Sequence, residues 1–441
     1  LSLLHNWRFV QTAVVDKRVR KSVFDDDVMC ESMRYAAAHE IGHTLGLMHN
    51  MGASYAFPVD SLRDPRFTQQ YGTTPSIMDY ARNNYVAQPG DYERGVKLTP
   101  PLLGVYDKYA INWGYRLIPN ASTPEEEKPV LDKWIAEKAH DKKYQFGAQQ
   151  VFGNVDPTDL TEDLGDDHIK ASNYGISNMK ILMKNLEAWT MEKGERYDDV
   201  ENIYREVVSQ YSRYLNHVVP YIGGIEYVEV RQGDGLPTSK LYVDKQRQKE
   251  AMKWLLNQIR TYDSWLTPAS LIGKLEVNLD VNDKIRKRII SSLFNAATLY
   301  RIKEGGEVNA TRNYNVDTYM NDLMALVFKA PTGGKLSAAE QELQTAALDL
   351  MMARTGLAPA QSSAKTKSLS FDDDQLCKEV SFTRINMGGS TLSSVEMGAL
   401  MVGHLQKLLT KFRTYKASSV GSTRDFYNYQ ILLIERLLKN K

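Results

Sequence analysis

Through the second half of the chain, apolar residues recur at intervals of three and four. That is the period of a helix with one buried stripe. The spacing predicts helices over 176–192, 198–219, 243–262, 280–303, 316–328, 338–354, 394–413 and 424–439. One segment breaks the pattern. Ile225-Glu226-Tyr227-Val228-Glu229-Val230 alternates, the turn residues Gln232-Gly233-Asp234-Gly235 follow, and then comes Leu241-Tyr242-Val243. That order predicts a β-hairpin near 224–244. Nearer the start, residues 1–14 suit a helix. Asp25-Asp26-Asp27 then precedes a helix-prone run from Val28 to Leu45, with the acids at the positive end of its dipole. Pro119, Pro124 and Pro129, with the Glu run 125–127, make 117–135 read as a linker. No fixed-period repeat is present.

These elements divide the chain into residues 1–118, a linker and acidic connector over 119–167, and a mostly all-α region over 168–441 that holds the hairpin. The fold class expected is α+β and predominantly helical. A length of 441 residues allows several domains. Net charge is +1, from 55 basic and 54 acidic residues, so no electrostatic argument favours nucleic acid or an anionic membrane as partner. No apolar run approaches the length of a membrane span. Two cysteines, Cys30 and Cys377, exclude a disulfide scaffold. Unpaired thiols are the simpler reading, with a single bridge as the alternative.

The chemistry concentrates in His39-Glu40-Ile41-Gly42-His43-Thr44-Leu45-Gly46-Leu47-Met48-His49-Asn50. On a helix, His39 and His43 lie one turn apart on one face, so both imidazoles can reach one metal ion. Glu40 projects beside them, placed to touch a water at that ion. Gly46 can adopt positive φ, end the helix and turn the chain back. The return brings in His49 as a third nitrogen. Three protein ligands leave a fourth position open, which is the catalytic rather than the structural zinc arrangement.

About thirty residues on, a Gly/Thr/Pro-rich turn leads into Ser76-Ile77-Met78-Asp79-Tyr80. Together the two runs resemble the metzincin metallopeptidases over about residues 25–116, and the stretch from Leu98 to Trp113 is similar to the helix that closes a metzincin lower subdomain. The resemblance implies one catalytic Zn2+ on His39, His43 and His49, with Glu40 as general base and Met78 as an apolar floor. It also implies a role for Tyr80 near the metal, where it can stabilise an oxyanion, and a protein or peptide substrate. It is nearest to large secreted bacterial zinc metalloproteases with helical tails, which implies a secreted, periplasmic or cell-surface location. Asn50 departs from the Asp, Glu, Ser or Pro that follows the third His in better-known groups.

Only 38 residues precede His39. That is room for a helix and connector but not for the sheet that metzincins place before the zinc helix. An upstream segment of the same polypeptide is therefore an expected partner. A binding or scaffold protein with a vestigial site is the competing reading, and zinc hydrolysis of a non-peptide amide is a third. Gly52 to Pro75 reads as a binding wall or as packing, through Tyr55, Phe57, Pro58 and Tyr71. The acids Asp156, Asp159, Glu162, Asp163, Asp166 and Asp167 read as helix caps and solvated charges. A calcium loop is the alternative, without EF-hand spacing. His168, His217 and His404 read as packed or solvated, and Met351, Met352, Met397 and Met401 as core.

Overall fold

The computed structural model describes residues 2–147, 155–191, 193–228, 230, 238–276, 281–357 and 390–439. The chain forms two compact units. The first comprises Leu1–Pro220, Glu226–Ser239 and Asp263–Leu279; the second comprises Tyr221–Ile225, Lys240–Tyr262 and Asp280–Lys441. Cys377 and the turn at 232–235 lie outside the described residues, and so does the pairing of Cys30 with Cys377. Cys30 itself is exposed.

The first unit is built from α1 (Ser2–Thr12), α2 (Asp26–Thr44), α3 (Pro65–Tyr71), α4 (Val105–Tyr115), α5 (Pro124–Ala136), α6 (His168–Thr190) and α7 (Asp198–Val218). α7 shows why these segments are helical. Val200, Ile203, Tyr204, Val207, Tyr211, Tyr214, Leu215 and Val218 are all buried and recur every three or four residues. α6 crosses it closely at Gly175, where a Cβ would lie 2.5 Å from the Tyr214 ring. α1 packs on both α6 and α7, and α2 packs on α1. The helices after residue 168 therefore cover the face of α1 within this unit. The Gln11 side chain locks the group, accepting from Asn83 Nδ2 at 2.8 Å and donating to Gln210 Oε1 at 3.2 Å.

The predominantly helical α+β class is what the chain shows. The single sheet among the described residues pairs β1 (Ile225–Tyr227) with β2 (Lys240–Tyr242) where the alternation predicts a hairpin. Among the described residues no strand precedes Ile225.

Two local readings need correction. The proline-rich stretch 117–135 contains α5. Thr123 accepts from Glu126 N as N-cap, Pro124 takes the first turn where its missing N–H costs nothing, and three glutamates face the positive dipole end. Pro124 and the glutamates that suggested a linker are a helix start, and Pro129 lies inside that helix. The helix expected over 280–303 is two, α11 (Val281–Leu293) and α12 (Ala296–Val308), after α8 (Lys245–Thr261), α9 (Asp263–Leu266) and α10 (Ala269–Ile272). Asn295 divides them by accepting from Ala297 N and Thr298 N. The second unit continues with α13 (Val316–Val327), α14 (Ala338–Arg354), α15 (Ser394–Ser418) and α16 (Gly421–Lys439). Its helices α8, α11, α14, α15 and α16 pack on one another. Met351, Met397 and Met401 are core there, and His404 is buried on α15.

Candidate metal centre

α2 delivers two histidines and then stops. Gly46 N donates to His43 O at 2.9 Å and Leu47 N to Gly42 O at 3.1 Å, the paired bonds of a Schellman end. That end needs a left-handed residue, and Gly46 has φ +77° with no atom within 4 Å of where a Cβ would sit. Backbone conformation, not crowding, makes glycine necessary there. The reversed chain brings in His49.

The three rings converge. His49 Nε2 lies 3.1 Å from both His39 Nε2 and His43 Nε2. Each helix histidine is oriented from behind, with His39 Nδ1 2.8 Å from Ile77 O and His43 Nδ1 2.9 Å from Leu47 O. A carbonyl can only accept, so both Nδ1 atoms carry the proton and both Nε2 lone pairs face inward. Nitrogens around one tetrahedral ion at about 2.1 Å would stand about 3.4 Å apart. The His39 and His43 Nε2 lone pairs, brought this close to His49 Nε2, are stabilised by a proton on His49 or by a cation among the three rings. The residues therefore fit a zinc ion, with the backbone carbonyls supplying the outer support that metal-bound imidazoles usually have. All three histidines are near enough to one another to hold a single ion.

The Met turn sits beneath. Met78 is fully buried, and its carbonyl accepts from Asn50 N at 3.0 Å, tying the turn to the chain just past His49. Asp107 shapes the turn: it accepts from Ser76 Oγ at 2.6 Å, Ile77 N at 2.8 Å and Gly104 N at 2.6 Å. Burial pushes the Asp107 carboxyl above its usual range, and the three donors pull the other way. Gly104 is required, since a Cβ would fall on the Pro75 carbonyl. Sequence reading missed Asp107 as a positioning residue. Its signal was Gly-x-x-Asp at a helix start, the place where a carboxylate can gather backbone donors.

Tyr80 stacks on His39 with ring centroids 5.3 Å apart and leans on His49 at 4.6 Å. Glu40 is exposed on α2, on a stripe with Ala37, Ile41 and Thr44 that is open to solvent. A reactant can approach along that stripe.

The other expectations are met in part. Phe57 is buried and packs on Phe67, which packs on Tyr71, so this part of 52–75 is core. Pro58 is exposed. Tyr55 lies against the His168 ring instead. The acids after residue 155 are mostly not solvated. Asp156, Asp159, Glu162 and Asp163 are buried. Asp156 caps a turn through Thr158 and holds Tyr227 N, Asp167 caps α6, and Asp166 accepts from Val59 N. Glu162 pairs with Arg82 and with Arg213. His168 and His217 are buried and bond to the Pro157 and Thr161 carbonyls. No described helix is long and apolar enough to cross a membrane.

A family model described as Met-zincin matches residues 21–335. Neither a curated protein nor a solved structure matches the chain.

Proposed function

Because this chain belongs to the Met-zincin family, we propose that it is a zinc-dependent endopeptidase that uses Glu40 as general base. The observation that carries this reading is the convergence of the three Nε2 atoms, with His39 and His43 each held by a carbonyl from behind. Bound to His39, His43 and His49, zinc supplies the Lewis acidity that brings a water's pKa toward neutrality.

The remaining work falls to the chain's own groups. Glu40 takes the proton of the attacking water as it adds to the peptide carbonyl, and gives it to the departing amine. Its exposed position beside His39 leaves it accessible to water and substrate. Tyr80, whose ring stacks on His39 and leans on His49, donates its phenolic O–H to the oxyanion as charge develops. Met78 takes no part in proton transfer. It fixes the height of α2 above the turn.

The test is Glu40→Ala, with zinc content and hydrolysis of unfolded protein and peptide libraries measured side by side. The expected outcome is unchanged zinc, near one ion per chain, with hydrolysis reduced by roughly 10²–10⁴-fold. Turnover retained in the variant removes Glu40 from the mechanism. Zinc-loaded wild type that cleaves no protein or peptide favours the binding reading with a vestigial site.

A further inference from the structure

Asp107 and His39 are joined by an unbroken line of hydrogen bonds. The Ser76 hydroxyl donates to Asp107 Oδ1 at 2.6 Å. Ser76 Oγ in turn accepts from Met78 N at 3.1 Å. Met78 N and Ile77 O belong to one planar peptide group, and Ile77 O accepts from His39 Nδ1 at 2.8 Å. The line therefore runs from carboxylate to hydroxyl to peptide to imidazole, and its far end is the Nε2 that converges on His49. Asp107, Ser76 and Met78 are fully buried, and Ile77 and His39 nearly so.

Every step donates toward Asp107: the imidazole N–H to the carbonyl, the amide N–H to the hydroxyl, the hydroxyl to the carboxylate. Hydrogen bonds aligned in this way polarise one another, and a low-dielectric interior strengthens the effect. The 2.6 Å contact has the length of a hydroxyl donating to an ionised carboxylate. The other carboxylate oxygen accepts from Ile77 N and Gly104 N, which fixes the group in this orientation. His43 is backed differently. Its Nδ1 meets the carbonyl of Leu47, a residue that is only partly buried. Polarising the Nδ1–H bond of an imidazole makes its other nitrogen a stronger donor to a metal. The two helix histidines are thus unlike ligands, with His39 the stronger.

We propose that Asp107 tunes His39 as a metal ligand through Ser76 and the Ile77–Met78 peptide. It is a positioning residue whose charge also reaches the metal, beyond its part in shaping the Met turn. Only electron density shifts along the line: every proton stays on its own donor, and His39 keeps its Nδ1–H. The proposal rests on the metal-binding part of the peptidase reading and does not require hydrolysis.

Asp107→Asn and Ser76→Ala test the relay in the full chain. An asparagine can keep Ile77 N and Gly104 N on its oxygen, but it then turns a donor toward Ser76 and reverses the first bond. Ser76→Ala removes the middle step. Tyr35→Phe is the control, because the Tyr35 hydroxyl holds the same turn at Asp79 O, 3.2 Å away, off the relay. Chelator competition should show zinc affinity lowered about 10–100-fold in both relay variants and unchanged in the control. A loosened turn alone also weakens zinc binding, so the second readout is the ring N–H proton resonances of isotope-labelled histidine at saturating zinc. A strong Nδ1–H···O bond draws its proton downfield. In wild type the His39 proton should lie downfield of the His43 proton. In both relay variants it should move upfield while the His43 proton stays. If one variant does not fold the other decides, and if neither folds the wild-type order of the two protons decides. Wild-type affinity in the relay variants, an equal loss in Tyr35→Phe, or a His39 proton that does not move overturns the proposal and leaves Asp107 as a brace of the turn. Neither measurement involves hydrolysis, so a failure here leaves the role of Glu40 standing, and a chain that cleaves nothing leaves the relay standing.

Discussion

Gly42 and Met78 occupy adjoining space with none to spare: a methyl at Gly42 would lie 2.3 Å from the Met78 Sδ. Gly42 sits between the two histidines of α2, so the thioether reaches the helix backbone directly beneath the metal site. Gly42→Ala gains helix propensity, about 1 kcal/mol, but must displace a fully buried side chain. The displacement is expected to dominate, lowering stability by about 1–3 kcal/mol and weakening zinc binding. Adding Met78→Ala should recover part of the zinc affinity, because it vacates the contested volume. Zinc titration and thermal unfolding of both single variants and the double variant measure that coupling. Strict additivity would mean the two residues do not act through each other.

Tyr80→Phe isolates the phenolic hydroxyl, since the contacts with His39 and His49 are ring contacts and survive the change. Zinc content and melting temperature should stay at wild-type values. The kcat should fall on the order of 10²-fold with a smaller change in KM, because an oxyanion donor acts chiefly in the transition state. An unaltered kcat would leave Tyr80 as a packing residue.

His217 gives the first unit a defined acid sensitivity. Its ring is buried, its Nε2 donates to Thr161 O at 3.0 Å, and burial, aided by His168, lowers its pKa to about 3. A depressed folded-state pKa means the unfolded chain binds the proton first as pH falls. The stability that neutral His217 contributes is thus complete above about pH 6.5 and is lost at up to about 1.4 kcal/mol per pH unit on the way down toward 3. His217→Gln keeps a donor and removes the titration. Its stability should vary less than that of wild type between pH 6.5 and 3, and its acid unfolding should begin at lower pH. Parallel curves for the two proteins would show that His217 does not carry the effect.

The histidine site was legible because its geometry is local. His39, His43, Gly46 and His49 are placed by one helix and one Schellman end, and both follow from spacing and from the need for positive φ. The same holds for α7, whose buried stripe has helical period. What the chain order hid was long-range carboxylate placement. Asp107 reaches back to Ser76 and Ile77, a pairing with no periodic signal. The proline-rich start of α5 was misread for another reason. Thr123, Pro124 and three glutamates are favourable at a helix N-terminus yet look like a linker when composition alone is weighed.

Asn50, the residue that departs from the better-known metzincin groups, clamps a distant segment onto the metal site. Its Nδ2 donates to Gln145 O at 3.0 Å and its Oδ1 accepts from Gly147 N at 2.8 Å, while Met51 N donates to Gly147 O at 2.8 Å. With Asn50 N on Met78 O, one residue joins the chain beyond His49 to the Met turn on one side and to 145–147 on the other. Only a side chain that both donates and accepts satisfies this clamp, and Asn50 is fully buried. Asn50→Asp keeps the acceptor, loses the donor and sets a charge against the Gln145 carbonyl. Asn50→Ala loses both bonds without adding charge. Each should cost roughly 1–3 kcal/mol, with Asp at least as damaging as Ala. Amide exchange at Gly147 should accelerate in both, and zinc affinity should fall because His49 loses the support of its neighbour. Hydrogen exchange and zinc titration measure these effects. An Asn50→Asp protein with wild-type stability and a protected Gly147 amide would mean that the donor to Gln145 contributes nothing, and that Asn50 could be exchanged for the aspartate of other groups at no cost.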